Sequence, residues 1–178
     1  MLIASVPHQN RPAIRTAAAP QDYYAFGQLC RTYVDWCRGR YADMPWFVEA
    51  LFGGQSLEDE LQALTTRYDR PEGRAVIATM SGAAVACGAI HRMSDTVCEL
   101  KRVFVREEAR GAGLGRRLTT TLIAAAVADG FTTMRLDTAD RLTEAIAMYD
   151  SMGFTRIAPY RRYPERLMPH LVFMEKAL

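Results

Sequence analysis

The spacing of apolar positions changes several times along the chain, and each change predicts an element. Ala13-Ile-Arg-Thr-Ala-Ala-Ala reads as a short first strand, stopped by Pro20, with Asp22 as N-cap of a helix to about Arg40. In that helix Phe26, Leu29, Cys30, Tyr33 and Cys37 fall at three- and four-residue steps, the pattern of one buried face, so core packing accounts for both cysteines. Tyr41 to Gly54 loses the period. Pro45 and Gly53-Gly54 frame the aromatic group Trp46, Phe47 and Phe52, and the segment reads as irregular. Ser56-Leu-Glu-Asp-Glu has the form of a capping box that opens a second helix ending before Pro71.

Arg74 to Met80, Ala83 to His91 and Val97 to Arg106 are consecutive strand-like runs, the first two joined across Ser81-Gly82 as a tight hairpin. They predict an antiparallel meander. From Gly113 to Ala128 the period becomes helical, with Leu114, Leu118, Leu122 and Ala125 on one stripe and Gly130 as the stop. A strand at Thr132 to Thr138, a helix from about Arg141 to Met152 ended by Gly153, and strands at Thr155 to Tyr160 and His170 to Lys176 complete the prediction.

Composition narrows the function classes. Among 178 residues, 49% are hydrophobic and 24% charged, which fits a single globular domain spanning 1–178 with a substantial core. Apolar runs such as Leu122 to Ala128 fall far short of the ~20 residues that span a bilayer, so no membrane association is expected. Met1 to Pro20 has no sustained apolar core and contains Arg11 and Arg15, which points to a cytoplasmic protein. Cys30, Cys37, Cys87 and Cys98 form no C-x-x-C pair, and His8, His91 and His170 are far apart, so no metal site is expected. A net charge of +2 is too small for a general nucleic-acid footprint, so any anion site must be local.

The informative stretch is Arg110-Gly111-Ala112-Gly113-Leu114-Gly115-Arg116-Arg117, after a strand and at a helix start. Glycines permit a tight turn and close approach, and unpaired N–H groups with the helix dipole favour an anion such as a pyrophosphate. Arg110, Arg116 and Arg117 can add charge-assisted bonds. The competing reading is a plain turn with solvated arginines. Both a Walker loop and a dinucleotide fingerprint starting at Gly111 would need glycine where Arg116 stands, which excludes them.

Arg110-x-x-Gly113-x-Gly115 resembles the Gln/Arg-x-x-Gly-x-Gly/Ala acetyl-CoA loop of the GNAT N-acetyltransferase superfamily. The preceding Glu99-Leu-Lys-Arg-Val-Phe-Val-Arg looks like that family's fourth strand, and Tyr149-Asp-Ser-Met-Gly-Phe154 resembles its Tyr-x-x-x-Gly-Phe element. The likeness is detailed from about Ala75 to Phe154. It implies an α/β fold with a mixed, mostly antiparallel sheet of six or seven strands flanked by about four helices, and acetyl transfer from acetyl-CoA to an amine by direct attack.

The resemblance also implies roles. Main-chain groups of Val103, Phe104 and Val105 would meet the pantetheine arm, and an N–H near Val103 would polarise the thioester carbonyl. The loop from Arg110 through Gly111, Ala112, Gly113, Leu114 and Gly115 to Arg116 would hold the pyrophosphate. Glu99 is the implied general base and Tyr149 the proton donor to the departing thiolate. Against these stand an ion pair of Glu99 with Lys101 or Arg102 on an exposed strand face, and core packing of Tyr149 with Ile146 and Met152. Trp46, Phe47, Tyr160 and Tyr163 are candidate wall residues for a small-molecule or peptide amine acceptor, and Arg161, Arg162 and Arg166 candidate anion contacts. A homodimer through a sheet edge is expected. The alternative function is a non-catalytic acyl-CoA-binding sensor or interaction protein.

Overall fold

The computed structural model describes residues 12–53 and 55–178, without the side chains of Gln55 and Ser56. The expected cap at Ser56, His8, and the segment before Pro12 therefore lie outside the described residues. Seven strands, β1 (Ala13–Thr16), β2 (Gly73–Met80), β3 (Ala83–Arg92), β4 (Val97–Val105), β5 (Thr133–Ala139), β6 (Thr155–Arg156) and β7 (Leu171–Ala177), form one sheet of order β1-β2-β3-β4-β5-β7-β6. Every neighbouring pair is antiparallel except β4 with β5. The helices described are α1 (Pro20–Arg40), α2 (Pro45–Phe52), α3 (Gln55–Gln62), α4 (Leu64–Arg67), α5 (Leu114–Ala128) and α6 (Thr143–Ser151).

The β2–β3 hairpin turns on Ser81 and Gly82 at φ of 50° and 82°, the paired positive φ that matches strand twist. One sheet face packs on the α5 stripe Leu114, Leu118 and Leu122; the other packs on α1 through Phe26, Leu29 and Cys30, joined by Leu64 and Tyr68. A third cluster gathers Val34, Cys37, Tyr41, Phe47 and Val48 with Leu142 and Leu167, tying α1 and α2 to the end of β5.

Four local expectations change. Asp22 is not the N-cap: Ala19 holds that place, and Asp22, three residues in, accepts the Ala18 and Ala19 N–H groups at 3.0 and 3.1 Å and pairs with Arg15 at 2.5 Å. Tyr41 to Gly54 is not irregular, because Pro45 opens α2 as its first residue, where a missing N–H costs nothing. The helix expected from Ser56 to Pro71 is broken at Ala63 into α3 and α4. Of the expected strand Thr155 to Tyr160, only Thr155 and Arg156 pair, because the chain then leaves the sheet edge to cross β5 and β7.

Candidate active site

The site is built around one irregular strand. Parallel pairing of β4 with β5 covers only Val97 to Glu99 against Thr133 to Arg135; from Leu100 onward the two strands carry no ladder between them. On its other edge β4 stays paired to β3, with a register shift between Cys87 and Ala89. Gly88 sits at that shift, and a Cβ there would lie 2.9 Å from Leu122 Cδ1 and 3.3 Å from Val103 Cγ2, so a larger residue would have to displace those two side chains. Arg102 takes φ of 56° in the bulge, a strained value for a non-glycine residue. Its guanidinium binds Glu60, with Nε donating to Oε1 at 2.9 Å and Nη2 to Oε2 at 2.5 Å, and lies over Phe52. Glu60 also accepts the Tyr68 hydroxyl at 2.7 Å. Burial alone would raise the Glu60 carboxyl, but Arg102 and Tyr68 hold it down to about 2.

The gap between β4 and β5 opens into a cavity of about 540 Å³ roofed by α1, α2 and α6. Its aromatic lobe comes from Tyr33, Trp36, Tyr41, Phe47 and Phe52; its polar floor comes from Lys101, Arg102, Asp137, Arg161 and Tyr163. Tyr149 reaches it from α6. The Tyr149 ring packs edge-on against Phe154, burial pushes its phenol above the ordinary range, and its hydroxyl makes no hydrogen bond among the described residues. Packing and exposure to the cavity are thus both true of Tyr149.

Glu99 lies behind the floor rather than on it. It is fully buried, accepting His91 Nε2 at 2.8 Å, the Tyr160 hydroxyl at 2.8 Å and Arg161 Nη2 at 2.6 Å, with Lys101 Nζ 3.7 Å away. Desolvation opposes its charge, yet the His91 bond, the Lys101 and Arg161 charges and the Tyr160 bond outweigh it and hold the carboxyl at about 2. Of the two expected partners, Lys101 does pair with Glu99, but on a buried strand face rather than an exposed one, whereas Arg102 turns to Glu60.

At the other end of the cavity, Gly113 caps α5 in the left-handed region at φ of 68°, with no side-chain cap and no acidic residue in the first turn. Intrahelical donors resume with Arg117 N–H on the Gly113 carbonyl, which leaves the N–H groups of Leu114, Gly115 and Arg116 at an uncapped, positive helix end. Among the described residues, Arg110, Arg116 and Arg117 form no ion pair. Arg116 donates to the Ser151 hydroxyl and Arg117 to the Pro12 carbonyl. Arg110 folds back on β4, its Nε donating to the Val105 carbonyl at 3.0 Å and its guanidinium lying 4.7 Å from the Trp36 ring centre.

Of the four wall residues expected from sequence, Phe47 and Tyr163 line the cavity. Trp46 lies under the Arg166 guanidinium and meets His170 edge-on, and Tyr160 turns to Glu99 and packs edge-on to Phe173. Arg161 faces the cavity, whereas Arg166 is used on Trp46. Tyr33, Cys37, Glu60, Arg102 and Asp137 are wall residues that sequence reading missed. The first two share the helical spacing of core positions, and for the others no local signal exists. No metal-ligating cluster occurs among the described residues.

Comparison with known proteins places this geometry. Residues 42–154 match the model of the acetyltransferase (GNAT) family. An uncharacterized N-acetyltransferase of Schizosaccharomyces pombe is 36% identical over 122 residues, 67% of this chain and 73% of its own. An acetyltransferase structure from Streptococcus agalactiae superposes with a TM-score of 0.74 at 21% identity, covering 94% of this chain and 98% of its own. YncA of Salmonella typhimurium, a putative acetyltransferase solved with acetyl-CoA, superposes with a TM-score of 0.65 at 18% identity, covering 94% of each chain. The match across the splayed strand, the glycine loop and the tyrosine helix, together with the yeast relative, makes this chain a member of the GNAT family of acetyltransferases.

Proposed function

We propose that the protein moves acetyl from acetyl-CoA to a primary amine of a small molecule or peptide by direct attack. The observation that carries this reading is the half of β4 after Glu99, unpaired toward β5, standing between the uncapped start of α5 and the Tyr149 hydroxyl. Acetyl-CoA, the ligand of the Salmonella neighbour, fits the residues present: a pyrophosphate suits the N–H groups of Leu114, Gly115 and Arg116, and main-chain groups of Val103, Phe104 and Val105 suit an extended amide-bearing arm. The donor supplies an activated thioester. Gly111, Ala112 and Gly113 bring the loop backbone close, and the Arg116 guanidinium, held on Ser151, stands in the first helical turn beside it.

Tyr149 is the proton donor to the leaving thiolate. Burial keeps its phenol protonated through neutral pH, and its hydroxyl has no competing partner among the described residues. Glu99 takes a different role from the base expected for it. A carboxylate at about 2 with four surrounding donors is a weak proton acceptor, so we assign it the anchoring of Lys101, Tyr160 and Arg161 behind the cavity floor. A homodimer and a cytoplasmic location belong to the same proposal; no helix among the described residues is long and apolar enough to cross a membrane.

Thermal unfolding with saturating acetyl-CoA, against ATP and NAD controls, tests the donor. Ligand at ~100 times its dissociation constant adds about 2.7 kcal/mol and raises the midpoint by roughly 5 to 11 °C at this size. Thiol release on adding an amine is the second expected result. Selective acetyl-CoA binding with no release across an amine panel would instead favour the acyl-CoA-binding sensor.

A further inference from the structure

The cavity holds a carboxylate that the proposed chemistry has not used. Asp137 follows the last parallel-paired residues of β5, so it lies where the strands have parted, and its side chain is 11% exposed on the cavity floor. Its Oδ2 accepts the Tyr163 hydroxyl at 2.5 Å and its Oδ1 faces Lys101 Nζ at 3.4 Å. A carboxylate offers about four acceptor positions, so Asp137 keeps capacity for one more donor. The other wall carboxylates differ. Glu60 is spanned by Arg102 and Tyr68, and Glu144 is mostly exposed and paired with Arg40. Glu99 is behind the wall with its oxygens already engaged.

Resting on the acetyl-transfer reading, we propose that Asp137 receives the acceptor's amine, and that the acceptor is a single primary amine carried on an apolar, aromatic-sized body. The body is matched by the aromatic lobe that Tyr33, Trp36, Tyr41, Phe47 and Phe52 contribute to the same cavity. The number of amines follows from charge. Asp137 and Glu99 are already balanced by Lys101 and Arg161, so a polycation entering the cavity finds no uncompensated negative charge on its floor. In the transfer, the amine nitrogen forms the bond to the acetyl carbon and the carbon–sulfur bond breaks. The nitrogen's surplus proton passes to the Asp137 carboxylate, and the thiolate takes its proton from Tyr149; both groups then re-equilibrate with solvent.

The test uses the full chain with acetyl-CoA and three probes: 2-phenylethylamine, its neutral counterpart 2-phenylethanol, and spermidine. Thiol release should show 2-phenylethylamine preferred over spermidine by at least about tenfold in kcat/KM, and calorimetry with CoA present should show the amine binding more tightly than the alcohol. Asp137→Asn should lower kcat/KM for 2-phenylethylamine by roughly 10²-fold and abolish the preference for amine over alcohol, with acetyl-CoA affinity unchanged. A role confined to bracing Tyr163 and Lys101 would leave that preference in place. The proposal is overturned by an Asp137→Asn enzyme within about threefold of the parent, by preference for spermidine, or by a protein that binds acetyl-CoA yet neither binds nor acetylates 2-phenylethylamine. If the variant does not fold, the parent's amine-over-alcohol preference decides alone. Absence of acetyl-CoA binding would overturn the donor reading itself, a separate result.

Discussion

The two halves of β4 have opposite surroundings. Up to Glu99 the strand is hydrogen-bonded to β3 on one edge and β5 on the other, and this closed half buries a carboxylate among four donors. Beyond Glu99 the β5 edge is bare, the β3 edge bulges at Gly88, and the space gained becomes the cavity. Continuous pairing excludes water and lets a charge network hold the floor rigid. Interrupted pairing gives up ladder bonds and leaves main-chain groups for a ligand. The difference teaches that the site depends on both: an open half is useful only if the closed half fixes what stands behind it.

Glu99→Ala should break the closed half with the largest effect. It leaves Lys101, Arg161 and His91 without their shared acceptor, and loss of one member of a buried charge network costs roughly 3 to 5 kcal/mol. Urea denaturation checks it; a loss below about 1 kcal/mol would mean water replaces the carboxylate and the floor is not closed.

The pH dependence sharpens the same point. Because the Glu99 carboxyl lies at about 2 in the fold and near ~4.3 unfolded, its contribution is present above the unfolded value and is lost as pH falls from about 5 toward 2. On the order of 3 kcal/mol is at stake. The stability gap between the parent and Glu99→Gln should therefore narrow over that window, with residual acid sensitivity in the variant from Glu60, also held at about 2. A gap constant with pH would remove the electrostatic account.

Tyr149→Phe addresses the open half. It should slow thiol release by roughly 10²-fold, about 2.7 kcal/mol in barrier, while acetyl-CoA binding stays the same. Unchanged turnover would leave only the packing against Phe154.

The smallest effect belongs to the loop. A Cβ at Gly113 meets nothing within 4 Å, so Gly113→Ala should cost about 1 kcal/mol from its φ of 68° alone. Gly39→Ala, equally unobstructed but inside α1, should stabilise by about 0.5 to 1 kcal/mol. Opposite signs in one denaturation series would separate backbone strain from packing.

The same contrast explains what could be read from residues in order. The meander β2–β3–β4, the α5 stripe and its glycine loop, and the Tyr149 helix were legible because each rests on local periodicity or on a contiguous turn. Pro45 was read as a breaker although it opens α2: a proline at a helix start and one in a loop look alike until a partner face, here Phe47 and Val48 against Tyr41 and Val34, is present. Tyr33 and Cys37 were read as core for a similar reason, since a helix face that lines a cavity has the spacing of one that lines a core.

By itself, then, the order of residues determined most of the strands, the main helices and the glycine-led start of α5, since these follow from contacts between near neighbours. Only the tertiary structure decided where β4 leaves β5, which carboxylate is buried and which faces the cavity. Glu99 and Asp137 are both acidic residues in strands, 38 positions apart; one is surrounded by donors from β3, β4 and the segment after β6, the other stands where the sheet has opened. No local pattern encodes that choice, because the groups that make it, His91, Tyr160, Arg161 and Tyr163, arrive from distant parts of the chain.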